Sequence, residues 1–254
     1  MAVIAVFNQK GGVGKTTTAL NVCAGLAMLD LDPLAIDLDP QGHLTLATGA
    51  TAFAPQDGAF GFFQCGVPLD KVVHRLGSGR RIVPATLDLS KVDALRGGDT
   101  NISTRLRDGL RDGAAAGATP VIIDCCPMLG VLTLNALIAA DRVLIPVSAD
   151  FLSLQGVDRL DRALNALETK LRRRIERRVL VTRYDARRKL SADIYAELKR
   201  RYGDDVCATR IVENVALAES PMRGKDIYAY APASPGARDY AALMRELGGT
   251  GFFS

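Results

Sequence analysis

The sequence predicts one doubly wound α/β domain, a mostly parallel sheet with helices on both faces, and three observations predict it. Short apolar runs alternate with stretches of helical spacing. The first run leads straight into a glycine-rich turn. Two later runs end in aspartate, which puts carboxylates at one edge of a parallel sheet, where open α/β folds bind ligands.

The elements follow in order. "AVIAVF" (2–7) is a buried parallel strand, and helical spacing follows at Ala19, Val22, Cys23, Leu26 and Leu29. "PLAID" (33–37) and "RIVPA" (81–85) read as the next strands. "PVIID" (120–124) and "RVLIPV" (142–147) repeat the pattern around the helical stretch "LTLNALIAA" (132–140). Leu154, Val157, Leu160, Leu164, Leu167 and Leu171 step by three and four, predicting an amphipathic helix over 152–174. "VLVTRY" (179–184) is a strand, and 191–202 and 234–247 are helices. Residues 48–66 are the least regular and hold Phe53, Phe60, Phe62 and Phe63; the expectation is a loop and short helix packed on the core. No repeat or linker divides the chain, so residues 1–254 read as one domain.

Composition excludes several classes. No apolar run reaches the roughly 18 residues of a membrane span, and the first residues lack a basic n-region and a cleavage site. The five cysteines form no CxxC pair, which suits a reducing cytosol and disfavours an iron–sulfur role for Cys125 and Cys126. Charge is unevenly placed: residues 151–254 carry 20 basic against 14 acidic residues, and 170–201 alone carry 13 against 4.

The decisive stretch is "NQKGGVGKTT" (8–17). Gln9 breaks the strict G-x-x-x-x-G-K-[ST] pattern, but the physics of a phosphate cradle survives. Gly11, Gly12, Val13 and Gly14 can turn backbone N–H groups toward one point at a helix N-terminus. Lys15 can reach the β- and γ-phosphates, Thr16 can ligate Mg²⁺, and Thr17 is placed for the α-phosphate. Asp37 and Asp39 in "IDLDPQG" and Asp124 in "VIID" end neighbouring runs. One lysine suffices to hold a phosphate, which leaves Lys10 to be explained.

This stretch resembles the deviant Walker A box of the ParA/MinD ATPases, P-loop NTPases marked by that extra lysine. The segments 36–45, 121–137, 140–160, 180–191 and 210–247 resemble the small ParA pattern in order. The resemblance implies an ATP hydrolase using ATP and Mg²⁺, slow and partner-stimulated. It implies that Lys10 leaves its own loop and meets the nucleotide of a second subunit in an ATP-dependent homodimer. ATP with one Mg²⁺ retains about two negative charges, so a lysine arriving only in the dimer makes assembly depend on the γ-phosphate. It further implies that Asp124 holds Mg²⁺ through water, that Asp37 supports the metal shell, and that Asp39 positions the attacking water. Val212 and Asn214 fall in the loop that frames the adenine.

The basic segment predicts a sequence-independent DNA surface made by Arg172, Arg173, Arg174, Arg177, Arg178, Arg183, Arg187, Arg188 and Lys189, since four nearby acids cannot neutralise thirteen bases. Small ParA proteins usually carry arginines where Glu213 and Ala216 stand, and Arg183 and Arg188 are expected to compensate. The chain starts at its first strand, so no helix-turn-helix arm and no operator-reading role are expected. The resemblance implies a cytoplasmic, nucleoid-associated protein that positions a plasmid, chromosome or protein assembly through a ParB-like adaptor. The alternative is a MinD-like membrane-associated ATPase in division-site or cluster positioning. That reading needs a basic amphipathic C-terminal helix, whereas "LMRELGGTGFFS" breaks at two glycines, so no stable membrane anchor is expected.

Overall fold

The computed structural model describes residues 2–50, 53–93, 102–112 and 120–253. Its strands are β1 (Val3–Val6), β2 (Leu34–Leu38), β3 (His74–Arg75), β4 (Arg81–Val83), β5 (Val121–Cys125), β6 (Arg142–Ser148), β7 (Glu176–Tyr184) and β8 (Val206–Val212). They form one sheet in the order β3-β4-β2-β5-β1-β6-β7-β8, parallel throughout except for the β3–β4 pair. β1 lies between β5 and β6, where the chain turns from building one half of the sheet to building the other. The loop leaving β1 therefore opens at the switch point of the sheet.

The helices are α1 (Lys15–Ala27), α2 (His43–Ala47), α3 (Ala59–Gln64), α4 (Ser90–Asp93), α5 (Arg105–Asp112), α6 (Val131–Ala139), α7 (Phe151–Leu171), α8 (Lys189–Tyr202), α9 (Val215–Glu219), α10 (Ile227–Tyr230) and α11 (Pro235–Gly249). Alternation along the strands sends successive side chains into two cores. Val3, Ala5, Val121, Ile123, Val143, Ile145, Val179 and Val181 pack with Leu132, Val157, Leu160, Leu164 and Ile194 from α6, α7 and α8. Ile4, Val6, Ile122, Leu144 and Leu180 pack with Leu20, Val22 and Leu26 of α1 and Tyr240, Leu243 and Leu247 of α11. Both faces are covered, which is why the strands read as continuous apolar runs.

The expected strands and long helices are present. Residues 53–64 behave as expected: a turn over Pro55–Asp57 and α3 bury Phe62 and Phe63, while Phe53 sits 4.6 Å from His74 between ring centroids. Residues 51–52 of that region lie outside the described residues.

Two differences matter for function. β7 begins at Glu176, three residues before the expected strand, and pairs Glu176, Arg177 and Arg178 with Arg142, Val143 and Leu144 of β6. The last three residues of the charge run 170–178 thus lie in an interior strand. β8 is an edge strand with no clear apolar signal, since "VCATRIV" mixes polar and apolar residues. Three of its N–H groups are taken by side chains: Ala208 and Thr209 donate to Glu246 at 2.6 and 2.8 Å, and Val212 donates to Asp239 at 2.9 Å. Two carboxylates of α11 thereby close an edge open to strand pairing.

After α11, Phe252 is fully buried against the second core and Phe253 packs on it. No helix among the described residues is long and apolar enough to cross a membrane.

Candidate functional site

The loop between β1 and α1 folds into a cradle. Gly12 and Gly14 adopt φ of 72° and 85°, a left-handed conformation that glycine takes without Cβ strain, and Gly14 is the N-cap of α1. An added Cβ at Gly11 or Gly12 would meet nothing within 4 Å, so the loop faces open space. The loop is pinned from below: Val13 is fully buried and its carbonyl accepts from the Thr182 hydroxyl at 2.9 Å. Lys10 N–H donates to the Asn8 side-chain oxygen at 3.0 Å, tightening the first turn.

Two cavities meet at this loop. One of about 700 Å³ is lined by Gly11, Gly12, Gly14, Lys15, Thr16 and Thr17 on one side and by Asp39, Pro40, Gln41 and Met128 on the other. A second of about 330 Å³ shares Gly12, Gly14 and Thr17 and continues to Thr182, Val212 and Asn214. The Asn214 carboxamide oxygen caps α9 by accepting from Ala216 N–H, and its amide nitrogen makes no hydrogen bond among the described residues. Arg183, at the rim of this second cavity, holds φ of 51°, a conformation uncommon outside glycine.

The two lysines do different things. Lys15 is buried, and its ammonium curls back to donate to the Lys10 carbonyl at 3.0 Å. Burial lowers its pKa, against the opposing pull of Asp124 and Asp39. Lys10 leaves the loop. Its ammonium reaches both oxygens of Asp150, at 2.6 and 2.5 Å, with Ser153 at 3.2 Å and Ser148 at 3.4 Å. Asp150 is the N-cap of α7 and accepts from Ser153 N–H. Burial pushes its carboxyl up, but hydrogen bonds from Lys10, Ser148 and Ser153 more than offset this and hold it below the usual carboxylate range. The role of Asp150, Ser148 and Ser153 was not visible in the sequence. The D-x-x-S cap is legible there, but its partner lies 140 residues away.

The three acids also separate. Asp124 is 1% exposed at the end of β5, and both oxygens are sealed from solvent without a well-formed hydrogen bond. Burial and the neighbouring Asp37 push it well above the usual carboxylate range, against the pull of Thr16 and Lys15. An orphaned carboxylate beside a threonine hydroxyl at the head of a phosphate loop fits a divalent cation. Asp39 lines the larger cavity, and its carboxylate accepts from Gln41 N–H at 2.9 Å. Asp37 stands beside Asp124 in the sheet register and is engaged within the chain. It is fully buried, lines neither cavity, and its oxygens accept from Asp39 N–H at 3.1 Å and from Thr45 N–H and hydroxyl, both at 2.8 Å. Its carboxylate shapes the loop that presents Asp39, and three of its roughly four lone-pair sites are taken by these bonds.

The basic segment does not form one surface. β7 runs nine residues, so Arg172–Arg174 and Arg183–Lys189 stand at opposite edges of the sheet, roughly 30 Å apart at strand rise. Most of these cations are already paired. Arg173 donates to the carbonyls of Ile138 and Ala140, capping the end of α6. Arg177, only 11% exposed, is paired with Asp161 and Glu168 of α7. Arg178 donates to the Asp204 carbonyl. Arg183, expected to compensate for the arginines missing at positions 213 and 216, instead pairs with Glu213, and Arg187 and Arg188 share Asp185. Arg172, Arg174 and Lys189 are exposed, with no carboxylate in ion-pair reach among the described residues. The four acids within the segment understate its neutralisation, because Asp161, Glu168 and Glu213 from outside it also pair with its arginines.

A parallel sheet whose switch-point loop cradles phosphates, with a buried lysine, a threonine and an orphaned aspartate around it, defines a P-loop nucleoside-triphosphate-binding protein. The family model described as "AAA domain" matches residues 1–177. The chain is 42% identical over 245 residues to the chromosome-partitioning ATPase Soj of Thermus thermophilus, covering 96% of this chain and 94% of that one. It is 37% identical over 250 residues to the chromosome partitioning protein ParA of Caulobacter vibrioides, covering 97% and 94%. A solved structure of cobyrinic acid a,c-diamide synthase from Mycobacterium smegmatis with ADP and magnesium aligns with a TM-score of 0.80 at 29% identity, covering 97% of this chain and 94% of that one. The chain belongs to the ParA/MinD family of deviant Walker A ATPases, and ATP and Mg²⁺ are its cofactors. In this chain Gly11, Gly12, Gly14, Lys15 and Thr16 line the larger cavity, and Thr16 and Asp124 are groups of the kind that suit Mg²⁺.

Proposed function

We propose that this ATPase is a partition switch. ATP pairs two copies across Lys10, the pair binds DNA without sequence preference, and hydrolysis stimulated by a ParB-like, cargo-bound adaptor releases it. The observation that carries this reading is the position of Lys10. Its charge has left a loop that has every use for it and is tied, one-third exposed, to Asp150 at the rim. A second copy bringing a γ-phosphate offers this ammonium an acceptor with more charge than one carboxylate. The rim supports pairing: Leu87, Met128, Leu129 and Val215 are 68%, 64%, 51% and 73% exposed beside the two cavities. Large apolar side chains around a polar mouth suit a face that a partner covers.

Within the site, bound magnesium supplies charge neutralisation for the transferred phosphoryl group. The chain's own residues do the rest. Loop N–H groups and Lys15 hold the phosphates, and Asp37 organises the turn that aims Asp39 at the cavity. Asp39 orients water there; an ionised carboxylate is a weak base, so positioning is its role. Slow turnover follows from a site that is complete only in the pair. The cargo is a plasmid or chromosome, and nucleoid association follows from DNA binding.

The test uses light scattering on Asp39→Ala, which should bind ATP but hydrolyse it poorly. Its mass should double with ATP and stay monomeric with ADP, and adding Lys10→Ala should restore the monomer. Equal mass in all three conditions overturns the switch.

A further inference from the structure

The structure singles out an arginine that the basic segment does not contain. Arg210 is exposed on the edge strand β8, and its guanidinium carbon lies 4.8 Å from the ring centroid of Tyr184 and 4.9 Å from that of Tyr195. It makes no ion pair among the described residues, whereas Arg183, Arg187, Arg188, Arg200 and Arg201 nearby all do. The carboxylates closest along the strand are spoken for: Asp239 accepts from Val212 N–H, and Glu246 from Ala208 and Thr209 N–H. Two rings fix the plane of this guanidinium at little entropic cost and leave its N–H edge free.

From this geometry we infer that Arg210 is a phosphodiester-backbone contact of the DNA surface, on the outer edge formed by β8 and α8; the inference rests on the DNA-binding reading above. Lys189 and Lys199 flank it on α8, about 15 Å apart at helical rise, a span that suits successive phosphates of one strand. Lys199 is anchored by donating to the Val206 carbonyl, and Lys189 is exposed. A planar fork of N–H donors matches phosphate oxygens. An acidic peptide is the less suitable occupant, because the edge N–H groups that would bind its backbone as an added strand are already taken by Glu246 and Asp239. Contacts made only by side chains to a charged backbone carry no base sequence, which agrees with nonspecific binding.

The experiment measures binding of a short random-sequence duplex to the ATP-bound Asp39→Ala protein across a salt series. Arg210→Gln should weaken binding roughly three- to tenfold and reduce the log–log salt slope by about one. Arg210→Lys should retain the slope and lose part of the affinity. Arg200→Ala removes another exposed but Glu197-paired cation and should leave the slope unchanged. ATP-dependent dimer mass and thermal melting of each variant report whether β8 still folds. If the parent protein binds duplex and Arg210→Gln binds it with the same slope, the Arg210 contact is wrong. If the parent fails to bind at all, the DNA reading itself falls.

Discussion

The nucleotide site and the basic segment hold charge in opposite ways. At the site, charges are buried and short of partners: Asp124 has no well-formed hydrogen bond among the described residues, and Lys15 makes do with a backbone carbonyl. In the basic segment, charges are exposed or half-exposed and mostly satisfied within the chain, by Asp161, Glu168, Asp185, Glu197 and Glu213. A buried, unpaired charge is costly and persists where a ligand completes it. A surface ion pair is worth little and needs no ligand to explain it. Charge density along a sequence therefore says less about binding than the charge a fold leaves unanswered.

The sharpest way to break this comparison is Lys15→Ala. It should weaken ATP binding and ATP-dependent pairing by more than a hundredfold in titration calorimetry, because the loop would lose its buried cation. Residual binding within tenfold of the parent would remove Lys15 from the cradle.

Next in size is Arg177→Ala, which should cost roughly 2–3 kcal/mol in urea unfolding by leaving Asp161 and Glu168 unpaired. Arg174→Ala, exposed and without an ion pair, should stay within about 0.5 kcal/mol. Equal costs would mean that both belong to one surface after all. The same pair has a pH signature. Burial raises the Glu168 carboxyl, but Ile175 N–H and Arg177 more than offset this and hold it below its ordinary value. A depressed carboxyl stabilises above its unfolded pKa, near 4.3, and the contribution fades as pH falls through the lower folded value. Glu168→Gln should flatten that acid limb.

The smallest effect is the most telling. Asp124→Asn removes a buried, unpaired carboxylate, so the nucleotide-free protein should gain about 1 kcal/mol while hydrolysis is lost. A destabilised variant would show that Asp124 is a structural acid with a partner of its own.

The apolar runs and the glycine–lysine turn are local patterns, so the strands β1, β2, β4, β5, β6 and most of β7, and the cradle between β1 and α1, were legible along the chain. Strand alternation and helix spacing are set by backbone geometry, and φ above zero at Gly12 and Gly14 calls for glycine wherever the loop occurs. What the sequence by itself determined is thus the phosphate cradle and the fold that carries it. The tertiary structure decided which charges remain available. It placed Asp150 on Lys10 from 140 residues away, tied Asp37 to its own loop, set Arg177 in an interior strand, and left Arg210 against two tyrosines. Pairing depends on distances in space, and those are set by how strands and helices pack, not by neighbours along the chain.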